Sequence, residues 1–447
     1  MVKSRSNQRF ASRDFHELFF EKFLFVIMAV ALSFLVQTPY GGDDLINHNT
    51  WPNFYNWPAT LNYAWNYSYQ WMQVQGRFFP GAFFWTASIF RLIQIRFIYH
   101  IFLAGLIYLY FRTTRNILKD LGISFKTQVA SILVLLSGFY LETNYSPYNQ
   151  YSGLIIWSLF LSVCTLRFAL KIYSKNRKLF SIFMATTLFF AFSSYELSLL
   201  ILIPQLLLYV SRRREKIATT HFVGLVAPAL LYFSISYYLR SHATGIIPKY
   251  SFSLSNFSWA AYITQLKGTF LYNFAQVFTN SSSNHMLGTW IVFIAFALTL
   301  VFSRVLHSDA TSPLPATFVK KTKSHKAQNE TTYPLKAGRH FSIFFVISGL
   351  SFISLPPLLF ALSKFWSTLP NWNEPYLYTP FQTLGFAVLL VPLIEKGWAN
   401  IPRTQTFVLI FLVLCEVLSV GFQVQTTQPG DQFTLPRAQC LHLPDSC

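Results

Sequence analysis

The sequence predicts an all-α fold, a polytopic transmembrane bundle of about eleven spans, and three observations predict it. Of the 447 residues 53% are hydrophobic and only 11% are charged, where a soluble globular chain carries roughly 25% charge. So few charges cannot cover a water-facing surface. Apolar runs recur from Leu18 to Phe422, each about 17 to 25 residues, the length that carries a helix across about 30 Å of hydrocarbon. The basic residues alternate from loop to loop: one set of loops holds 27 of the 35 Lys and Arg and the opposite set holds 6. This asymmetry places the N-terminus in the cytoplasm and the C-terminal tail outside. The net charge of +19 therefore reports topology and anionic membrane lipids, with no nucleic-acid partner implied.

The chain reads as a single transmembrane domain, 1–447, with spans near 18–36, 97–111, 127–140, 151–170, 179–194, 197–211, 220–239, 287–303, 341–363, 377–394 and 404–422. The first is a retained signal anchor, basic before it and with no small-residue cleavage site after it. The first outer loop, 37–96, is dense in Trp, Tyr and Asn, and its Trp51, Trp57, Trp65 and Trp71 suit amphipathic helices at headgroup depth. Within it Phe79–Ile95 is apolar but broken by Arg91, which suits an interfacial helix better than a crossing. The fifth and sixth spans are short, with a tight outer hairpin expected at Ser193–Glu196. A second long outer loop covers 240–286. The cytoplasmic loop 305–340 is rich in Thr, Ser, Pro and Lys and reads as a flexible basic linker. An outer tail covers 423–447, where Cys440 and Cys447 have a disulfide open to them in an oxidising compartment.

Acidic residues number only 16, so their places carry information. Asp43 and Asp44 follow the first span in Tyr40-Gly41-Gly42-Asp43-Asp44. Adjacent carboxylates raise one another's pKa, which suits a general base or a divalent cation; Asp also suits a solvated turn that caps a helix. Glu142 follows the third span. Glu196, in Ser194-Tyr195-Glu196, sits at the membrane's outer edge, where an ionisable group is paired, functional or simply interfacial. Arg77, in Gly76-Arg77-Phe78-Phe79-Pro80, either grips a phosphate with both guanidinium edges or snorkels to headgroups. Arg240 and Lys249 flank Gly245-Ile246-Ile247-Pro248 as phosphate candidates, and Glu374-Pro375-Tyr376 opens the tenth span as a candidate substrate contact. The sequence holds no Walker loop, no zinc-ligand spacing and no Gly-x-Ser-x-Gly elbow.

A first span followed by a long outer loop with an acidic pair near its start resembles the GT-C superfamily of membrane glycosyltransferases. Asp43-Asp44 followed at a distance by Gly76-Arg77-Phe78-Phe79-Pro80 is similar to bacterial members that modify surface polysaccharides. Tyr376 to Pro380 is similar to an Arg-Tyr-x-x-x-Pro signature, with Glu374-Pro375 where that signature has arginine. The resemblance implies transfer of a hexose from a polyprenyl-phosphate carrier to a glycan, lipid or protein acceptor, on the outer face of a bacterial inner (plasma) membrane. It implies Asp43 or Asp44 as the catalytic base, with Asp44 favoured. Arg77, Glu142, Tyr195, Glu196, Arg240, Lys249, Glu374 and Tyr376 are then substrate contacts, and Asp43, Asp44 and Glu142 the ligands of any divalent cation such as Mg or Mn. Two alternatives remain: a transporter or flippase of lipid-linked glycans, which calls for polar residues deep in several spans, and a glycan polymerase or ligase that uses Arg240, His242 and His285.

Overall fold

A computed structural model describes residues 42–53, 56–137, 153–173, 177–213, 218–245, 254–266, 339–362 and 379–397, together with residues 25, 29 and 35. Among them every regular element is helical: α1 (Gly42–Thr50), α2 (Trp57–Gln75), α3 (Pro80–Leu92), α4 (Arg96–Asp120), α5 (Phe125–Ser137), α6 (Leu154–Ile172), α7 (Arg177–Ser194), α8 (Leu202–Arg212), α9 (Ala218–Ser241), α10 (Arg339–Ala361) and α11 (Thr379–Gly397). Short 3₁₀ turns stand at Trp51–Asn53, Glu196–Ile201 and Leu254–Asn256.

Four helices are long and apolar enough to cross a bilayer: Arg96–Asp120, Leu154–Ile172, Ala218–Ser241 and Ser342–Leu359. Three shorter apolar stretches, Thr127–Leu136, Lys178–Ser194 and Thr379–Glu395, lie among them. That is fewer than the eleven spans expected from hydropathy. Of those eleven, 287–303 and 404–422 lie outside the described residues, and 18–36 is described only at 25, 29 and 35. The outward surface fits a lipid solvent. Leu230, Leu231 and Phe233 of α9 are 61%, 52% and 50% exposed, and Ile182 of α7 is 61% exposed; large apolar side chains left open in this number suit a membrane or partner surface.

The helices pack in a connected series. α6 lies on α7 and on α4, α7 also meets α9 and α3, and α2 lies on α3. α10 pairs with α11, which in turn packs on α5, while α8 rests against α10. Trp85 of α3 stacks on Trp157 of α6 at 4.2 Å, nearly parallel, and fastens the first loop's helices to the spanning set. Ser124, just before α5, donates its backbone N–H to Glu395 of α11 at 2.9 Å, and the Thr127 hydroxyl donates to the same oxygen at 2.7 Å. A carboxylate from α11 thus serves the open N–H groups at the start of α5.

Two expectations change. The span expected from residue 97 to 111 continues as α-helix to Asp120, because Thr113, Thr114, Ile117 and Leu118 keep a buried face and Asp120 lies 3.9 Å from both Arg167 and Lys171 of α6. The sixth span, expected from 197, opens instead as 3₁₀ through Glu196–Ile201 and becomes α-helical at Leu202. Pro204 favours this. It has no N–H to return to Leu200 and its ring crowds that carbonyl, which removes one bond that α winding through Leu200 would need.

The α10–α11 crossing depends on two glycines. A Cβ built on Gly385 falls 2.7 Å from the Gly349 carbonyl oxygen, and one on Gly349 falls 2.8 Å from that of Gly385. A Cβ on Gly105 of α4 meets nothing within 4 Å. Gly385→Ala should therefore force the helices apart and cost about 1–3 kcal/mol, read as a lowered unfolding temperature in detergent, while Gly105→Ala should leave that temperature unchanged or slightly raised.

Candidate functional site

Two clusters gather the candidate residues, one at each end of α3. The first is built on Asp44. It sits in the first turn of α1, where a carboxylate is favoured by the open N–H groups of the helix N-terminus, and it is fully buried. Tyr99, in the first turn of α4, donates its phenolic hydroxyl to Asp44 Oδ2. Both Tyr99 and His100 are fully buried. The Tyr99 ring stacks on Phe90 of α3 with centroids 5.1 Å apart, and Phe90 meets His48, one helical turn beyond Asp44, at 6.3 Å. Arg91 donates to the Pro52 carbonyl at 3.1 Å and closes the 3₁₀ turn onto α3. Trp51 donates to Asn47 at 2.9 Å. The result is a carboxyl group taken out of water and oriented by a phenol.

Asp43 is the second residue of the same helix. Among the described residues no three His, Cys, Asp or Glu side chains gather as a metal site.

The second cluster is an ion pair. Arg77 follows Gly76, which ends α2 in the left-handed region at φ 62° and donates its N–H to the Met72 carbonyl. A Cβ on Gly76 falls 2.7 Å from the Arg240 Cα, so the turn needs glycine both for its backbone angle and for its close approach to α9. The Thr244 and Gly245 N–H groups donate to the Gln73 and Val74 carbonyls, at 3.1 and 3.2 Å. Beyond this turn Arg77 donates Nε and Nη2 to the two carboxylate oxygens of Glu196, each at 3.0 Å, and its guanidinium lies 4.7 Å from the Phe79 ring centre. Burial alone would lower the Arg77 pKa, but the charge and hydrogen bonds of Glu196 outweigh it and hold the pKa above its ordinary value. Arg77 thus stays charged at every pH at which a protein is handled. The adjoining Tyr195 places its ring 5.9 Å from Phe381 of α11.

The structure therefore brings Arg77, Glu196 and Tyr195 together with the backbone of Arg240, whose side chain is exposed. It sets Asp44 apart from them: α3 rises roughly 14 Å between Gly81 and Phe90 at 1.5 Å per residue. Glu142, Lys249, Glu374 and Tyr376 lie outside the described residues, and the side chain of Asp43 does too. Tyr99 was not singled out from the sequence. The available signal was its place, a phenol one turn into an apolar span, beside His100. Comparison with protein-family models, characterised proteins and solved structures returns no match.

The Arg77 and Glu196 side chains are 37% and 39% exposed, so water screens their attraction. A double-mutant cycle on Arg77→Ala and Glu196→Ala should give a coupling energy of about 1 kcal/mol, the upper part of the range for exposed pairs, and Arg77→Lys should lose part of it by losing one of the two parallel contacts.

Proposed function

We propose that this chain is an integral membrane glycosyltransferase, with about eleven spans and interfacial helices in its first outer loop. It moves a hexose from a polyprenyl-phosphate carrier to a glycan, lipid or protein acceptor on the extracytoplasmic side of a bacterial inner membrane. The observation that carries this reading is the buried Asp44 carboxylate with the Tyr99 phenol on one of its oxygens. Water exclusion and a neighbouring helix are the means by which a carboxylate's basicity is set for proton transfer.

In the proposed reaction Asp44 accepts the proton of the acceptor hydroxyl as that oxygen bonds to the anomeric carbon. The bond from that carbon to the carrier's phosphate oxygen breaks, and the electron pair leaves with the phosphate. Tyr99 orients the carboxylate. Because Asp44 is closed off in this conformation, the acceptor enters only when α1 shifts from α4. Arg240 is the outer-face cation assigned to the leaving phosphate: it is exposed and forms no ion pair among the described residues. Arg77, already neutralised by Glu196, positions the loop that carries α3.

One observation favours the second reading, a transporter of lipid-linked glycans. A polar chain is buried between α6, α8 and α9: the Tyr173 hydroxyl and His221 Nδ1 are 2.8 Å apart, His221 Nε2 lies 3.0 Å from Gln205 Oε1, and the Gln205 amide donates to Thr165 at 3.1 Å.

In proteoliposomes supplied with a set of polyprenyl-phosphate sugars, Asp44→Asn should lower transfer by at least about 10²-fold. Asp43→Asn should retain it, and Tyr99→Phe should give an intermediate loss. Full transfer by Asp44→Asn removes the proposed base. Loss of carrier translocation in His221→Ala, with Asp44→Asn unaffected, selects the transporter.

A further inference from the structure

Helix α2 has 19 residues and no formal charge, yet most of its surface is exposed. Its buried stripe of Thr60, Ala64, Ser68 and Met72 recurs every fourth residue, as befits a face laid on α3. On the opposite side, at 100° per residue, Asn62, Asn66, Gln70 and Gln73 form an exposed band of carboxamides. Aromatic rings flank the band on both sides. Tyr63 and Tyr67, one turn apart, lie parallel within 7° with centroids 6.2 Å apart; Trp65 and Tyr69 lie within 24° at 6.5 Å. These four rings are between 40 and 48% exposed. The Gln73 amide donates to the Tyr69 hydroxyl, tying one ring to the band.

We propose that this face of α2 binds an uncharged glycan chain. A carboxamide both donates and accepts hydrogen bonds, which matches a sugar hydroxyl that does the same. Tyr63, Tyr67 and Trp65 also touch Trp51, Phe83 and Phe84, and the part of each ring left exposed offers flat apolar area for the C–H faces of pyranose rings; the absence of charge leaves nothing that requires an ionic ligand. A helix that sinks one face into the acyl chains has another design, a continuous apolar face opposite one rich in Lys and Arg; α2 at the interface keeps this band turned to water. In α2 the rings stand on both sides of a neutral polar band, and the stripe opposite that band is turned to protein. The glycan-binding face is separate from Asp44, and its binding does not depend on transfer.

The test uses the full chain in lipid nanodiscs with neutral gluco- and galacto-oligosaccharides, binding being read by thermophoresis, beside a sulfated oligosaccharide of the same length. Neutral oligosaccharides should bind and the sulfated one should not. Trp65→Ala and the double variant Tyr63→Ala/Tyr67→Ala should each weaken binding by about tenfold or more, Asn66→Asp should weaken it without removing a ring, and Tyr63→Phe/Tyr67→Phe should retain it. Asp44→Asn should bind as the parent does, so that loss of catalysis and loss of this surface are read separately. No binding of neutral oligosaccharide, or binding indifferent to Trp65→Ala and Asn66→Asp, overturns the proposal. So does quenching of Trp65 fluorescence by brominated lipid, measured as the difference from Trp65→Phe, because it seats the face in the bilayer.

Discussion

The Arg77–Glu196 pair joins the first loop's helices to the rest of the bundle beside the Trp85–Trp157 stack, and the course of α3 depends on where it holds the turn after α2. The turn at Gly76 brings the end of α2 against α9, and Arg77 then reaches the start of the 3₁₀ segment after α7. With that corner held, α3 runs back along α7 and delivers Phe90 to Tyr99, and Tyr99 to Asp44. The two polar clusters thus stand at opposite ends of α3. The ion pair is half in water and contributes modest energy, but its two parallel contacts fix an angle as well as a distance, and that angle sets where α3 points.

Inside the bundle the polar groups are handled locally. Ser158 and Ser162 of α6 fold their hydroxyls back onto the carbonyls four residues earlier, and Thr165 onto that of Ser162. In hydrocarbon such bonds are the cheapest way to keep a hydroxyl satisfied. The chain Tyr173–His221–Gln205–Thr165 is different, because it crosses three helices and fixes their register. Bonds of this kind between spans average well under what their buried setting suggests, so the chain specifies arrangement more than it adds stability.

What the sequence made legible follows from which signals are local. Apolar runs located α4, α6, α9 and α10, since a span's length and composition are its own property. The start of α3 was written in Pro80, a residue suited to a first helical turn. The extension of α4 past 111 was hidden by Arg112, Arg115 and Lys119, whose charges read as loop although the residues between them keep a buried face. The 3₁₀ winding after Ser194 had no local signal beyond Pro204, ten residues on, which removes one α-type bond. Asp44 was singled out for its rarity, but its burial and its phenol partner depend on how α1 meets α4, which lies 52 residues later, and no local pattern encodes that meeting. The same limit applies to Arg77: its charge was plain, whereas the carboxylate that takes it stands 119 residues away.

The 3₁₀ segment from Glu196 to Ile201 has a consequence of its own. Over its six residues it rises about 12 Å where an α-helix would rise about 9 Å, and it turns each residue about 20° further. Rewound as α, the segment would draw Glu196 inward by about 3 Å and swing it roughly a third of a revolution from Arg77. Pro204, which returns no N–H to Leu200, weighs against that rewinding, and the 3₁₀ winding sets how far the carboxylate protrudes toward the guanidinium that grips it.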